Sequence, residues 1–192
     1  MGVEIEPRIL RGPWDAGFAL HVHTLSSVFL GNNAYGHPEF HTTRSPVGEL
    51  LYRLKYRNDG TAVEPLVESI LAFWKTWHPS IDAIVPVPPS NIRKQQPVML
   101  VASELSERLR VPICTECLSK IKKTPQLKDM VDYDKRIEAL EGAFSVSKAH
   151  AMGKRLLLFD DLYGSGATVS AITEALKAGG AKSVCLLTLT TK

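Results

Sequence analysis

The sequence is short of the features that mark several classes of protein. Its 192 residues include only three cysteines, too few for the disulfide scaffold of a small secreted domain. No apolar run approaches the roughly 18–20 residues that a membrane span requires. Residues 1–15 lack the basic-then-apolar order of a signal peptide. We therefore expect a cytoplasmic protein in a reducing compartment, with no membrane partner.

Charge of one sign is also scarce. Lys and Arg number 23 against 20 Asp and Glu, and the difference of +3 does not by itself indicate a nucleic-acid partner. The apolar share of 44% is too high for a disordered chain. A chain of this length buries roughly 70% of its unfolded surface, so it can form a core without disulfides or metals. These values predict one domain, with at most a small additional part.

The spacing of apolar residues predicts alternating strands and helices. Apolar side chains recur every three or four residues over 63–77 and 98–109, which indicates two helices. Between them, the run at 81–87 is rich in β-branched residues, ends at two prolines, and predicts a buried strand. Near the end of the chain, a strand, a helix and a strand are predicted at 155–159, 168–177 and 183–189. This order is a right-handed crossover unit, and the predicted class is α/β with a mostly parallel sheet flanked by helices.

Two segments differ from the rest in composition. Residues 1–47 are rich in Gly, His and aromatics, and their alternation over 18–23 predicts a strand and hairpin. We interpret them as a β-rich amino-terminal hood on a core formed by 48–192. Residues 118–135 lack periodicity and carry several lysines, at 120, 122, 123 and 128. We predict a long mobile basic loop there, which either closes over a site or is simply solvated.

The polar segment after the predicted strand 155–159 has the chemistry of an anion site. Ligands in open α/β sheets bind beyond the carboxyl ends of the strands. Glycines in the turn 160–166 let successive N–H groups point at one anion, and the helix that follows adds about half a positive charge. Asp160 and Asp161 would repel a phosphate, but they suit ribose hydroxyls or a hydrated Mg²⁺. The alternative is an ordinary turn whose aspartates cap the helix.

Residues 156–168 resemble the phosphoribosyl diphosphate (PRPP) signature of type I phosphoribosyltransferases: four apolar residues, two acidic residues and a small Thr/Gly-rich loop. The resemblance implies the fold of that family and contacts from Asp160 and Asp161 to the ribose hydroxyls. It also implies Mg²⁺ beside these carboxylates, held mostly through substrate or water, and a 5-phosphate in the loop. The implied PRPP-binding residues here are Tyr163, Gly164, Ser165, Gly166, Ala167 and Thr168.

Further motifs over about residues 48–190 resemble the ComF-like, competence-associated branch of this family. They are the Leu-Lys-Tyr segment within 48–57, the strand end Pro86-Val87-Pro88, and Thr124-Pro125-Gln126 followed by Arg136. The strand end would carry the pyrophosphate loop. Arg136 is a candidate catalytic residue with Asp160 and Asp161, although it could instead pair with a carboxylate such as Glu138. The other implied PRPP-binding residues are Lys55, Val87, Pro88, Ser90, Arg93 and Lys94.

Two departures from the branch bear on activity. Gln95-Gln96-Pro97-Val98 stands where an Arg-Gly-Phe-Asn-Gln run is usual, which puts catalysis from the pyrophosphate side in doubt. Residues 1–47 replace the usual cysteine-pair zinc module, which removes a candidate partner-binding unit.

The resemblance implies transfer of the phosphoribosyl group to a nucleobase or amine, with release of pyrophosphate. A homodimer would be ordinary for the family. One alternative is a non-catalytic PRPP- or nucleotide-binding regulator or DNA-uptake partner on the same fold. Direct binding of single-stranded DNA rests only on the basic loop and would weaken steeply with salt, so we do not expect it.

Three other patterns are interpreted as structural. Cys114 and Cys117 form a single C-x-x-C without the further ligands that zinc needs. The histidines have no carboxylate at ligand spacing, and the tryptophans occupy positions typical of packing. These residues are His21, His23, His37, His41, Trp14, Trp74 and Trp77.

Overall fold

A computed structural model describes residues 1–89, 96–122, 130 and 132–192. Its central sheet contains five strands: β1 Arg8–Ile9, β2 Ala16–Val22, β5 Ala83–Pro86, β8 Arg155–Tyr163 and β9 Ser183–Thr191. They lie in the order β1-β2-β9-β8-β5, and all but β1 run parallel. The α/β class and the mostly parallel sheet are therefore confirmed.

Helices cover both faces of this sheet. Those on the first face are α1 Pro46–Tyr56, α2 Val63–Trp77 and α3 Pro97–Leu109. Leu157 and Phe159 of β8 face them, whereas Leu156 and Leu158 pack towards α6 Ala167–Ala178 on the second face. Successive residues of a strand point to opposite faces, so each half of the strand's apolar run builds a different core. This alternation continues to the end of β8 and decides the geometry of the site.

The predicted helices form where their apolar spacing placed them. α2 buries the face of Leu66, Val67, Ile70 and Phe73, and α3 is likewise confirmed. α6 stops at Gly179-Gly180, where Gly180 has a φ of +93° and Ala181 N–H donates to the Leu176 carbonyl at 3.0 Å. The crossover β8-α6-β9 is thus built with a glycine at the position that needs a left-handed backbone.

The amino-terminal segment differs from the predicted hood. β1 and β2 belong to the central sheet, and β2 pairs in parallel with β9. Ala19 and Leu20 of β2 are fully buried, because their side chains join the two cores. A separate hairpin forms only from β3 Thr24–Asn32 and β4 Pro38–Arg44. The sheet therefore includes residues on the amino-terminal side of the predicted boundary at 47.

Described parts of two other segments form strand or helix where a turn or loop was predicted. The expected polar turn 160–166 begins as strand, because β9 extends to Thr191 and pairs with β8 as far as Tyr163. Within the expected loop 118–135, Leu118–Lys120 forms β6, which pairs with β7 Phe144–Val146. α4 Tyr133–Leu140 begins before that predicted loop ends, and α5 Lys148–Ala151 follows β7. Residues 123–129 and 131 lie outside the described residues.

None of the helices in the described part of the chain has the length and apolar character needed to cross a bilayer.

Candidate functional site

The end of β8 separates the two neighbouring aspartates onto opposite faces of the sheet. Asp160 follows Leu158 on the α6 face and lines a cleft of about 200 Å³. Asp161 follows Phe159 on the α1 face, where its Oδ1 lies 2.7 Å from Lys55 Nζ. The predicted pair of carboxylates is therefore not a single acidic patch.

The cleft contains most of the predicted loop residues. Its walls are formed by Arg136, Asp160, Leu162, Tyr163, Gly164, Ser165, Gly166, Ala167, Thr168, Val169 and Lys192. The structure thus brings Asp160 and Arg136 together with the whole segment 163–168. Lys55, Val87 and Pro88 do not line it.

Gly166 shapes the loop at the start of α6. Its φ is +81°, and a methyl group on its Cα would collide with the ring and hydroxyl of Tyr163. In the described structure no side chain caps this helix, so the first N–H groups of α6 are not satisfied by a side-chain oxygen. An uncapped helix start beside a glycine turn is a site for an anion, because the N–H groups and the helix dipole both favour negative charge. Ser165 is exposed and Thr168 is partly buried, so both hydroxyls are within the same wall.

Asp160 lies in an environment that disfavours its charge. Burial, and then the nearby charge of Asp161, raise the pKa of Asp160 to about 8. A hydrogen bond from Asp161 N–H to Asp160 Oδ1, at 2.8 Å, and the charge of Lys55 act in the opposite direction. A carboxyl group of this kind can donate or accept a hydrogen bond near neutral pH.

Asp161 belongs to a polar cluster on the α1 face. The side chains of Lys55 and Asp161 are only 12% and 15% exposed. Thr190 Oγ1 donates to the Asp161 carbonyl at 3.2 Å and lies 3.4 Å from Nδ1 of His23. Burial, together with the charges of Lys55 and Arg44, lowers the pKa of His23. Lys55, which the resemblance assigns to PRPP binding, forms an ion pair with Asp161 here.

Arg136 reaches the cleft from α4. Its Nε donates to the Met130 carbonyl at 2.7 Å, and a second guanidinium nitrogen donates to the same oxygen. No ion pair with Glu138 occurs in the described structure, so the alternative pairing weighed for Arg136 is not formed.

Lys192 is a lining residue that the sequence reasoning missed. It follows the carboxyl end of β9, and its N–H donates to the Tyr163 carbonyl at 3.1 Å. The rule that ligands collect at carboxyl ends of parallel strands could have pointed to it.

The predicted pyrophosphate side is described only in part. Val87 is buried, and its N–H donates to the Phe159 carbonyl at 2.9 Å, so it contributes to the core. Pro88 is partly buried beside it. Ser90, Arg93 and Lys94 lie outside the described residues.

The cysteines and histidines interpreted above as structural form no metal site among the described residues. No three His, Cys, Asp or Glu side chains in that part of the chain lie close enough together to hold a metal ion. Cys114 and Cys117 form a disulfide. His21 is buried and its Nδ1 accepts from Val22 N–H at 2.8 Å, whereas His37 and His41 are exposed on the hairpin.

No protein-family model and no curated protein sequence matches the chain. Solved structures do. The chain is similar to glutamine PRPP amidotransferase from B. subtilis, with 20% identity and a TM-score of 0.51 over 82% of this chain and 34% of that one. It is also similar to adenine phosphoribosyltransferase from Thermoanaerobacter pseudethanolicus, with 15% identity, a TM-score of 0.47, and coverage of 86% and 95%. Leishmania donovani UMP synthase matches at 17% identity and a TM-score of 0.43, with coverage of 83% and 27%.

The chain therefore spans about a third of the amidotransferase and about a quarter of UMP synthase. At 20% identity or less, similarity to a solved structure establishes the fold alone. The parallel sheet, its flanking helices and the amidotransferase likeness together show that the chain has the type I phosphoribosyltransferase fold.

Proposed function

We propose that the chain binds PRPP together with Mg²⁺ in the cleft beside Asp160 and acts as a phosphoribosyltransferase. In the reaction, the bond between ribose C1 and the diphosphate oxygen breaks, and a bond from C1 to a nucleobase or amine nitrogen forms. Pyrophosphate leaves with the bonding electrons, and the nitrogen loses a proton to solvent. The observation that carries the proposal is a single cleft holding the uncapped start of α6, the Gly166 turn and Asp160.

The cleft residues divide into two roles. The first N–H groups of α6, with Ser165 and Thr168, would hold the 5-phosphate, because they present donors at the positive end of a helix. Asp160 would hydrogen-bond a ribose hydroxyl. Arg136 and Lys192 would add positive charge to the wall facing the phosphate. Positioning of this kind supplies much of the catalysis in reactions that build up charge on a leaving group.

The donor set fits Mg²⁺ that arrives on the ligand. The described residues offer no cluster of three metal-binding side chains, and Mg²⁺ usually keeps several waters while binding one or two carboxylates and substrate phosphates. Asp160 would be the carboxylate of the cleft, and Asp161, predicted beside it, faces the other side. When bound, the ion would neutralise charge on the diphosphate.

A second function on the same cleft is favoured by the Lys55–Asp161 pair. Two residues that the family resemblance assigned to PRPP contact each other at 2.7 Å on the face away from the cleft. A protein that holds a phosphoribosyl group or mononucleotide without turnover needs only the phosphate loop. This chain would then be a regulator or an uptake partner. The ComF-like branch and a homodimer remain predictions.

Calorimetric titration with PRPP, with and without Mg²⁺, tests the proposal, with ribose 5-phosphate and AMP as comparison ligands. We expect micromolar, Mg²⁺-dependent PRPP binding that weakens at least tenfold in Asp160→Asn. Glu64→Gln is the matched control, because Glu64 is an exposed carboxylate in the first turn of α2. Failure of the wild-type chain to bind PRPP would overturn the proposal.

A screen of acceptors for pyrophosphate release then separates the two functions. Release with any nucleobase or amine supports the transferase. Binding of PRPP or AMP without release supports the non-catalytic alternative.

A further inference from the structure

The Gly166 turn is supported from behind by one aromatic ring. Tyr163 is the last residue of β8, and its ring occupies the space into which a Cβ on Gly166 would project. The Tyr163 ring therefore lies directly against the Cα of Gly166. A shift of the ring would change the packing behind the turn that leads into the α6 amides.

Trp14 packs against the Tyr163 ring. The two rings pack edge to face, with centroids 6.1 Å apart and an interplanar angle of 90°. Edge-to-face packing fixes orientation as well as distance, because the positive edge of one ring meets the negative face of the other. Trp14 comes from the segment before β2, about 150 residues away in sequence from the loop.

Trp14 is itself held by its surroundings. Its side chain is 7% exposed, and Nε1 donates to the Leu10 carbonyl at 2.7 Å. A side chain at Gly12 or at Gly17 would collide with the indole ring, so both glycines allow the backbone to approach it closely. The indole therefore has little room to shift.

We infer that Trp14 is a positioning residue for the phosphate loop, acting through Tyr163 on the Gly166 turn. The ligand in this inference rests on the proposed function, whereas the contact chain from Trp14 to Tyr163 to Gly166 does not. A residue needed only for the core would change global stability and leave the loop no more affected than the rest of α6.

The first test is ligand-free and measures hydrogen exchange by NMR at Ser170. Its N–H donates to the Gly166 carbonyl at 2.9 Å, so its protection reports directly on the turn. We expect Trp14→Ala to accelerate this exchange about tenfold relative to Gly179 N–H, which bonds the Ala175 carbonyl at the far end of α6. Trp14→Phe should restore most of the protection. Trp77→Ala, which removes an aromatic ring on the other face of the sheet, should leave the ratio unchanged.

A second variant keeps the test valid if Trp14→Ala does not fold. Tyr163→Ser breaks the contact chain at a partly buried position, and it should accelerate Ser170 exchange to a similar extent. Because both changes act through the same contact, the double variant should be no worse than either single variant. Additive effects, or equal acceleration at Ser170 and Gly179, would overturn the inference.

The second readout is affinity for ribose 5-phosphate. We expect about a tenfold loss in Trp14→Ala and recovery in Trp14→Phe, since a displaced loop presents its donors poorly. If the wild-type chain binds neither ribose 5-phosphate nor PRPP but Ser170 exchange responds, the positioning role stands and the proposed function fails. If the wild type binds and Trp14→Ala binds equally well, the positioning role fails and the function stands.

Discussion

The two sides of the β8 end contain the same residue type in opposite environments. On the α1 side, Asp161 lies 2.7 Å from Lys55, and both side chains are largely withdrawn from water. On the cleft side, no cation of the described chain lies within ion-pair distance of Asp160, and burial raises the pKa of that carboxyl. Burial of an unpaired carboxyl disfavours its charged form, whereas the carboxylate on the α1 side has a cation beside it. The proposed function therefore uses the carboxyl that has no ion-pair partner among the described residues.

Gly166→Val tests the cleft side of this comparison and has the largest expected effect. The substitution places a branched side chain at a φ of +81° and against the Tyr163 ring, so the turn must move and the α6 donors with it. We expect PRPP affinity to fall at least about a hundredfold, or about 2.7 kcal/mol. Titration calorimetry on the folded variant measures it.

Gly153→Val is the matched control, since Gly153 also has a positive φ, +72°, but lies in the turn before β8 with no atom near the place of a Cβ. It should be destabilised by the backbone strain and still bind. Equal loss of affinity in both variants would show that strain anywhere in the chain, rather than the cleft, is being measured.

The structural side of the comparison is tested by Lys55→Met. Removal of the ammonium leaves the Asp161 carboxylate shielded from water without its partner, and we expect unfolding free energy to fall by about 2 kcal/mol. Urea denaturation gives the value. Adding Asp161→Leu should recover most of the loss, because no unpaired charge then remains; a double variant as weak as Lys55→Met would contradict this account.

The local spacing of apolar and polar residues predicts much of the fold, but it predicts less of the candidate site. The apolar periods placed α2, α3 and the β8-α6-β9 unit because each depends on neighbours in sequence. The loop 163–168 was found for the same reason. The separation of Asp160 from Asp161 was missed, since it depends on β9 extending the pairing of β8 to Tyr163.

Long-range contacts account for the other differences. Lys55 forms an ion pair with Asp161, which lies 106 residues later in the sequence. Likewise, β2 pairs with β9, although the two strands come from opposite ends of the chain. The alternation in β2 was visible, but its partner was not, because register is fixed by tertiary packing rather than by local pattern. Trp14 was correctly placed in packing, although nothing nearby in sequence indicated Tyr163 as its neighbour.

The cleft side of the comparison is also tested by the pH dependence of stability that Asp160 causes. Its pKa is about 8 in the folded chain against 3.8 for the unperturbed group, so the folded state binds more protons than the unfolded state between these values. Stability contributed by this group is therefore lost as pH rises from about 4 to about 8. Asp160→Asn cannot ionise, so its melting temperature should match the wild type near pH 4 and exceed it at pH 9, with the gap widening up to about pH 8. Thermal melts at matched ionic strength measure the gap, and Glu64→Gln supplies the control for loss of an exposed carboxylate. A gap that is constant with pH would mean that folding does not shift the pKa of Asp160, and a gap that reverses sign at pH 9 would mean that Asp160 is stabilised as an anion.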